Sequence, residues 1–333
     1  MTNSNTSGTV HTLDAGTLAA GFAAPIQDQG LISVTGDDAA TFLHSQLTND
    51  VTHLGPHEVR LAGYCTPKGR LQATFLMWRD AESVFLQLPR EIQPALQKRL
   101  SMFVLRAKAR LLDASAGVAL IGVGGAAAGA ALTSVFGQLP PAPWTRIEHA
   151  EGSLLRVADA FGAARYQWVT TPERAQEALL RLSASLAIGA DQAWQLAEIH
   201  AGVPQVTAKT QEQFVPQMVN FELLGGVNFK KGCYPGQEIV ARSQYLGKLK
   251  RRTALATIDG SDVQAGAEVF DVADPGQPCG MVVNAAPNGL GGTDALVEMK
   301  LAGLQAAEVR LGSASGAALR FLPMPYVLDA LDI

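Results

Sequence analysis

The sequence predicts an α+β protein with two lobes of mixed strands and helices followed by a small all-β barrel. Three observations lead there. The chain has 333 residues, 47% of them hydrophobic and 17% charged, which is enough for more than one packed core. Up to about residue 250, alternating strand-like runs and tight turns are mixed with helix-period stretches, the pattern of α+β lobes and not of a strictly alternating parallel sheet. From Thr253 onward short strand-like runs follow one another between turn residues, with no helix-period stretch among them, as in a small barrel.

Taken in order, Met1–Ala24 lacks Lys and Arg, is rich in Ser, Thr, Asn and Gly, and reads as a flexible tail with no secretory signal. Leu31–Val34 is a strand. Gly36-Asp37-Asp38 supplies cap chemistry for a helix whose apolar face is Ala39, Phe42, Leu43 and Leu47, ended by Thr48-Asn49-Asp50. Glu58–Cys65 and Arg70–Trp78 form a hairpin across the turn Thr66-Pro67-Lys68-Gly69, and Ser83–Leu88 adds a third strand. A helix at Glu91–Val104 and a strand at Lys108–Leu112 close this unit. Val118–Val123, Leu154–Ala158 and Tyr166–Thr170 are strands; Ala126–Phe136, Pro172–Leu186 and Gln192–His200 are helices, the last stopped by Gly202 and Pro204. The expected domains are a tail at 1–24, two interleaved lobes over 25–248 divided near 50–115 and 116–248, and a barrel at 249–333.

The net charge of −4 excludes a globally basic nucleic-acid binder. Cys65, Cys233 and Cys279 are scattered, without metal-site or disulfide-framework spacing, which suits a reducing, cytoplasmic setting, and no metal site is expected. Ala114–Trp144 carries no charge, but it is dominated by Ala and Gly and divides at Gly124-Gly125, so it reads as a buried strand and a small-residue helix and not as a membrane span.

The densest chemistry lies in Gln213–Arg242. Lys230-Lys231-Gly232-Cys233-Tyr234-Pro235-Gly236 is a loop opening a helix near Gln237, along which Glu238, Ile239 and Arg242 follow. A helix start offers unpaired N–H groups and partial positive charge, glycines permit close approach, and two lysines add cations, a combination suited to an anion or a thiolate at Cys233. Chemistry alone leaves a second reading, a Gly/Pro-rich connection with a solvated lysine pair.

K-G-C-Y-P-G-Q-E resembles the signature of the YgfZ family of folate-binding proteins, relatives of the glycine-cleavage T-protein. Ile199–Pro204, Phe214–Gln217, Leu224–Gly226, Gly36–Val51 and Tyr64–Leu71 are similar to the same family's surrounding segments, so the resemblance runs from about Leu31 to the C-terminal strands. It implies a T-protein-like three-domain ring, two ferredoxin-like α/β lobes and a C-terminal barrel, with tetrahydrofolate or a one-carbon derivative in the central hole. It further implies functional roles for Lys231 and Cys233, a folate-binding set of Lys231, His200, Glu198, Gln237, Asn49 and Asp50, and motif-shaping by Gly232, Tyr234, Gly236 and Glu238. Family members are linked to iron–sulfur cluster assembly or repair and to iron–sulfur-dependent tRNA modification, so iron–sulfur proteins are the implied clients and tRNA a weak contact. The Asp pair that T-proteins carry after the hairpin glycine is missing, since Arg70-Leu71-Gln72-Ala73-Thr74 has no carboxylate, which argues against aminomethyl transfer. A folate-dependent one-carbon transferase and an RNA- or protein-binding scaffold are the alternatives.

Other features have simpler readings. Lys248, Lys250, Arg251 and Arg252 form a basic cluster, either a solvated linker face or a contact for a folate tail or RNA phosphate. Cys65 and Cys279 read as buried small hydrophobes, and Gly122–Gly125 as a packing turn.

Overall fold

In the computed structural model, residues 12–246, 249–260, 262–304 and 308–328 are described. Three sheets organise them. The first is antiparallel, in the order Val59–Cys65, Leu71–Arg79, Ser83–Pro89, Gln29–Thr35, Arg110–Asp113. The second runs Ala187–Ile188, Phe22–Ile26, Ala119–Gly124, Ala163–Thr170, Gly152–Ala160, Thr145–His149. The third runs Val309–Leu311, Glu268–Asp271, Gly280–Pro287, Gly292–Lys300, Arg251–Asp259, Leu319–Leu322, and an Arg310–Ala318 bridge brings its ends together into a nearly closed barrel.

The hairpin is as expected. Tyr64 pairs with Ala73 and Cys65 with Leu71 across a bulge, around Thr66–Gly69. Helices occupy Ala39–Gln46, Gln93–Ser101, Ala128–Phe136, Pro172–Leu182, Asp191–His200 and Gln237–Tyr245, close to the sequence-based bounds. Among the described residues no helix is long and apolar enough to cross a membrane.

The N-terminal expectation needs correction. Residues 12–24 are not a flexible tail. Asp14 caps an Ala15–Ala20 helix by accepting the Thr17 N–H at 3.0 Å, and Phe22–Ile26 then enters the second sheet beside Ala119–Gly124. Leu18, Phe22, Ala23 and Ala24 are fully buried, so apolar burial holds the segment in place. The chain thus contributes a strand to the second sheet before it builds the first.

The Asp191–His200 helix joins the parts. Its apolar side, Ala193, Trp194, Leu196, Ala197 and Ile199, shares one core with Leu18 and Phe22 of the N-terminal segment, Leu61 and Leu71 of the hairpin, and Leu255, Val283 and Leu296 of the barrel. Gly122 makes room for Trp194, whose ring lies where a Cβ at Gly122 would fall, which confirms the packing role read for Gly122–Gly125. The first two sheets also meet directly. Val59 N–H donates to Trp144 O at 2.9 Å, and Arg146 N–H to His57 O at 2.9 Å.

Two glycines set how the motif docks. Gly69, in the hairpin turn, and Gly236, before the Gln237–Tyr245 helix, both have positive φ, 71° and 81°. A Cβ on Gly236 would stand 2.4 Å from Thr66 O and 2.7 Å from Gly69 N, and one on Gly69 would stand 2.9 Å from Ile239 Cβ. The turn and the motif helix therefore meet backbone to backbone. Gly236→Ala should cost about 2–3 kcal/mol through left-handed strain and this clash. A lowered urea midpoint would register it, whereas an unchanged midpoint would mean that the two turns are free to part.

Candidate functional site

The KGCYPGQE loop alternates buried and exposed side chains. Lys231 and Tyr234 are buried, while Gly232, Cys233 and Glu238 are exposed. Lys231 is 9% accessible, and its ammonium donates to His44 O at 2.6 Å, Leu47 O at 3.0 Å and Gly232 O at 3.2 Å. An ammonium has three protons, and all three find carbonyls here. Two of those carbonyls belong to the end of the Ala39–Gln46 helix, where orphan C=O groups and the negative end of the dipole favour a cation. The Tyr234 ring covers the ammonium, its centroid 4.7 Å from Nζ. Burial lowers the Lys231 pKa to about 8, although Asp50 and Cys233 oppose the fall by charge, so the thiol position lies within electrostatic reach of the ammonium. Burial likewise pushes the Tyr234 phenol up, with Cys65 adding to the shift, and pushes the Cys65 thiol to about 12.

Asn49 and Asp50 stand behind the same loop. Asn49 spends both amide protons on Leu61 O and Gly225 O, each at 2.7 Å, and its Oδ1 accepts the Asp50 N–H at 2.8 Å. Thr48 makes the parallel staple, donating its hydroxyl to Gly226 O at 2.6 Å and accepting Gly63 N–H at 2.7 Å. Asp50 accepts from His53 and Thr52 and contacts His44. Burial raises its carboxyl pKa, but these hydrogen bonds outweigh burial and hold it well below the usual carboxylate range. Gln237 reaches back to Lys231 O at 3.5 Å.

A separate centre lies between the first two sheets. A cavity of about 40 Å³ is lined by Leu61, Thr74, Phe75, Gln87, Trp144, Arg165, Gln167, Trp194, Glu198 and Gln205. It shares Pro89, Trp194, Glu198, Val203 and Gln205 with a wider cleft of about 520 Å³ that reaches Asn284 and Ala285 of the barrel. Arg165 is 1% accessible. It donates Nε to Ala158 O at 2.9 Å and Nη1 to Glu198 at 2.8 Å, and its guanidinium lies over Trp194 at 4.6 Å. Its Nη2 has no hydrogen-bond partner among the described residues. Gln87 and Gln167 form a reciprocal amide pair at 3.0 and 2.6 Å. The cavity is thus apolar-walled with a few convergent polar groups, the usual composition of a small-molecule site.

Of the residues implied for folate, only Glu198 lines this cavity. Lys231, Asn49, Asp50 and Gln237 lie at the motif loop, where backbone carbonyls occupy Lys231, Asn49 and Gln237, and Thr52 and His53 occupy Asp50. His200 turns towards the barrel. Its Nε2 is 2.7 Å from Asp294, and its ring packs on Phe161 at 4.5 Å. Asp294 is buried, which raises its carboxyl pKa, but hydrogen bonds from His200, Asn288 and Thr257 outweigh burial and leave it lowered. The basic cluster divides. Arg252 is 1% accessible, donates to Gln217 O at 2.9 Å and pairs with Glu222, and Arg251 pairs with buried Glu298. Lys250 is exposed, and Lys248 lies outside the described residues. Sequence reasoning missed Arg165, Gln167 and Gln87. Their signal was polar residues on one face of interior strands, as in Arg165-Tyr166-Gln167.

Three lobes around a cavity, with an exposed cysteine loop docked on one of them, define a T-protein-like fold. The solved glycine cleavage system aminomethyltransferase T from Bartonella henselae matches with a TM-score of 0.73 over 92% of this chain and 86% of that one, at 16% identity, which shows the shared fold. No protein-family model matches the chain. The tRNA-modifying protein YgfZ of Cronobacter sakazakii is 30% identical over 307 residues, 91% of this chain and 92% of that relative; the protein of the same name from an Enterobacter species is 33% identical over 236 residues, 68% of each. The chain belongs to the YgfZ family.

Replacing Lys231 by Met should leave three carbonyls without their donor and cost about 1–3 kcal/mol in urea unfolding at pH 7. The native lysine carries its own burial penalty, since its pKa falls from 10.5 to about 8 on folding. The unfolded chain therefore binds more protons between those values, and wild-type stability should rise relative to Lys231→Met as pH climbs through that window. Parallel pH curves for the two proteins would show that folding leaves the Lys231 pKa at its free-chain value.

Proposed function

We propose that this protein is a tetrahydrofolate-binding accessory factor that supports iron–sulfur cluster assembly or repair, and through it tRNA modification by iron–sulfur enzymes. The observation that carries the folate reading is the buried Arg165 Nη2, unpartnered beside Glu198 in an aromatic-walled cavity. A buried unpaired donor costs about 1–3 kcal/mol, so a polar ligand atom there is favoured. A reduced pterin offers a carbonyl oxygen for Arg165 Nη2 and ring N–H and amino donors for the remaining lone pairs of Glu198, and Phe75 and Trp144 add apolar wall to the cavity. These residues fit the group. When bound, tetrahydrofolate supplies the one-carbon carrier.

Aminomethyl transfer is disfavoured by what faces the cavity from the hairpin. Thr74 occupies the wall, and its hydroxyl accepts the Val206 N–H at 3.1 Å, so the hairpin offers no ionisable group there. The client step rests on family membership and on the exposure of Cys233, which leaves its thiol open to another macromolecule. Arg251 and Arg252 are engaged internally, so among the described residues of the basic cluster an anion or RNA contact would fall to exposed Lys250.

Calorimetric titration with tetrahydrofolate, followed in parallel by tryptophan fluorescence, tests the reading. Saturable binding is expected, weakened about tenfold or more by Arg165→Met and by Glu198→Gln, which correspond to losing one charged hydrogen bond each. Cys233→Ala should bind as wild type does, because Cys233 is not in the cavity wall. Absence of binding to wild-type protein would overturn the folate reading. Separately, Cys233→Ala should fail to restore iron–sulfur enzyme activity to cells lacking the protein, and full restoration would remove the thiol from the function.

A further inference from the structure

One helix of the first lobe ends in a loop whose outward side chains folding does not explain. After Gln93–Ser101 the chain turns through residues 102–109 into the Arg110–Asp113 strand. Val104, Ala107 and Ala109 pack on the first sheet's core. Phe103 N–H donates to Leu100 O at 3.0 Å and Ala107 N–H to Val104 O at 2.8 Å, so the loop is a hydrogen-bonded turn. Yet Met102, Phe103 and Leu105 are 61%, 45% and 88% accessible. Leu105 also has a φ of 47°, a left-handed backbone that suits Gly or Asn better than leucine. Exposure and backbone both count against leucine at 105, so its use lies outside the chain's own packing. Around these three stand Lys98, Arg99, Arg106, Lys108 and Arg110, all exposed. Of the five, among the described residues, Lys108 alone pairs with a carboxylate, Asp37 at 3.2 Å. Lys98 and Arg99 also serve the negative end of their helix, whereas Arg106 and Arg110 lie beyond it. Lys98, Arg99 and Met102 line a groove of about 250 Å³ together with Leu96 and Glu212. The loop is tied to the element that carries the motif. Asp38, just ahead of the Ala39–Gln46 helix, accepts the Lys108 N–H at 2.7 Å, and the far end of that helix takes the Lys231 ammonium. The helix has 8 residues and so spans about 12 Å. One partner's share of an ordinary protein interface, about 800 Å², is roughly 30 Å across and wide enough to cover both ends.

We propose that the loop at 102–110 is the docking surface for the client protein, and that it recognises an acidic face with an apolar recess for Phe103 and Leu105. Met, Phe and Arg are the residue types that protein interfaces concentrate, and cations set around an apolar centre match a partner of opposite charge. A nucleic acid would satisfy the cations but leave Met102 and Leu105 uncovered, since bases stack on aromatic rings and Phe103 is the one ring in the loop. A second copy of this chain, meeting loop to loop, would set like charges face to face. The inference rests on the client reading given above and states where that client binds.

The test uses the full-length protein in cells that lack it, with the activity of an iron–sulfur enzyme as the readout. Leu105→Asn, and separately the pair Arg106→Glu with Arg110→Glu, should each restore about tenfold less activity than wild type, the loss expected for one interface anchor. Purified Leu105→Asn should unfold at the wild-type temperature or above it, because Asn tolerates the left-handed turn, so its lost activity is not a lost fold. Restoration at the wild-type level by either variant overturns the surface. Cys233→Ala in the same cells keeps the two readings apart. If it fails to restore while the loop variants succeed, the surface alone is wrong; if it restores as well, the client reading is wrong. Contact is read directly with the photo-crosslinker p-benzoylphenylalanine in place of Met102. An adduct with an iron–sulfur protein that disappears when Arg106→Glu and Arg110→Glu are added supports the proposal. An adduct destroyed by ribonuclease, an adduct with a second copy of this chain or with a protein that binds no cluster, or no adduct at all, overturns it.

Discussion

A buried ammonium must find acceptors for its protons, and the way Lys231 does so organises the motif. Its three carbonyl partners come from the end of one helix and from its own loop, which lies more than 180 residues further along the chain. The helix end needs a cation, the cation needs carbonyls, and the Tyr234 ring keeps water off both. Removing any of the three leaves the others with an unmet requirement. A lysine is therefore demanded at 231 by folding, whatever else the loop does, and arginine, with a planar fork in place of a compact charge, could not meet the same three carbonyls.

This changes how the motif is understood. Lys231 and Tyr234 face inward and hold the loop; Gly236 allows the hairpin turn to approach; Gly232 and Cys233 remain outside. The effect is to present one thiol on a loop pinned to a helix end, within electrostatic reach of the Lys231 ammonium. Asn49, implied as a ligand residue, belongs to the same support. Its amide joins the hairpin strand at Leu61 to the loop at Gly225, which is the work of a staple. Short-range staples of this kind hold a reactive group in place better than a loop could by itself.

Much of the fold was legible because its signals are local. The Thr66–Gly69 hairpin, the apolar face of the Ala39–Gln46 helix and the stop at Gly202 each depend on a few adjacent residues, whereas the cap expected from Asp38 is not made, because its carboxylate accepts the Lys108 N–H at 2.7 Å instead. The barrel could be read from its run of short strands. What escaped depends on distant partners. Phe22–Ile26 contains Pro25, which argues against a strand until Ala119–Gly124 is beside it. Thr145–His149 is short and charged, and is a strand because Gly152–Ala160 pairs with it. Glu198 could be picked out beside the Ala201-Gly202 turn, but Arg165 could not, since its meaning comes from Glu198 on a helix 33 residues away. Arg251 and Arg252 looked like a surface patch because their acidic partners are distant in sequence.

The structure places its two chemical centres apart. Arg165 and Glu198 line a cavity between the sheets, whereas Cys233 sits outside it, and none of Lys231–Glu238 lines the cavity. They are joined through the hairpin. Strand Leu71–Arg79 carries Thr74 into the cavity wall, and its turn packs on Gly236. Leu71 N–H donates to Phe214 O and accepts Glu212 N–H on its own carbonyl, each at 2.8 Å, so the segment leading to the motif is tied to the same strand. A ligand filling the cavity would meet this strand at Thr74, and the strand leads through sheet hydrogen bonds to the turn whose Gly69 packs on Gly236. Coupling between the cavity and the thiol, where it occurs, must therefore pass through the hairpin, and through differential contacts of the ligand with the two positions of that one element.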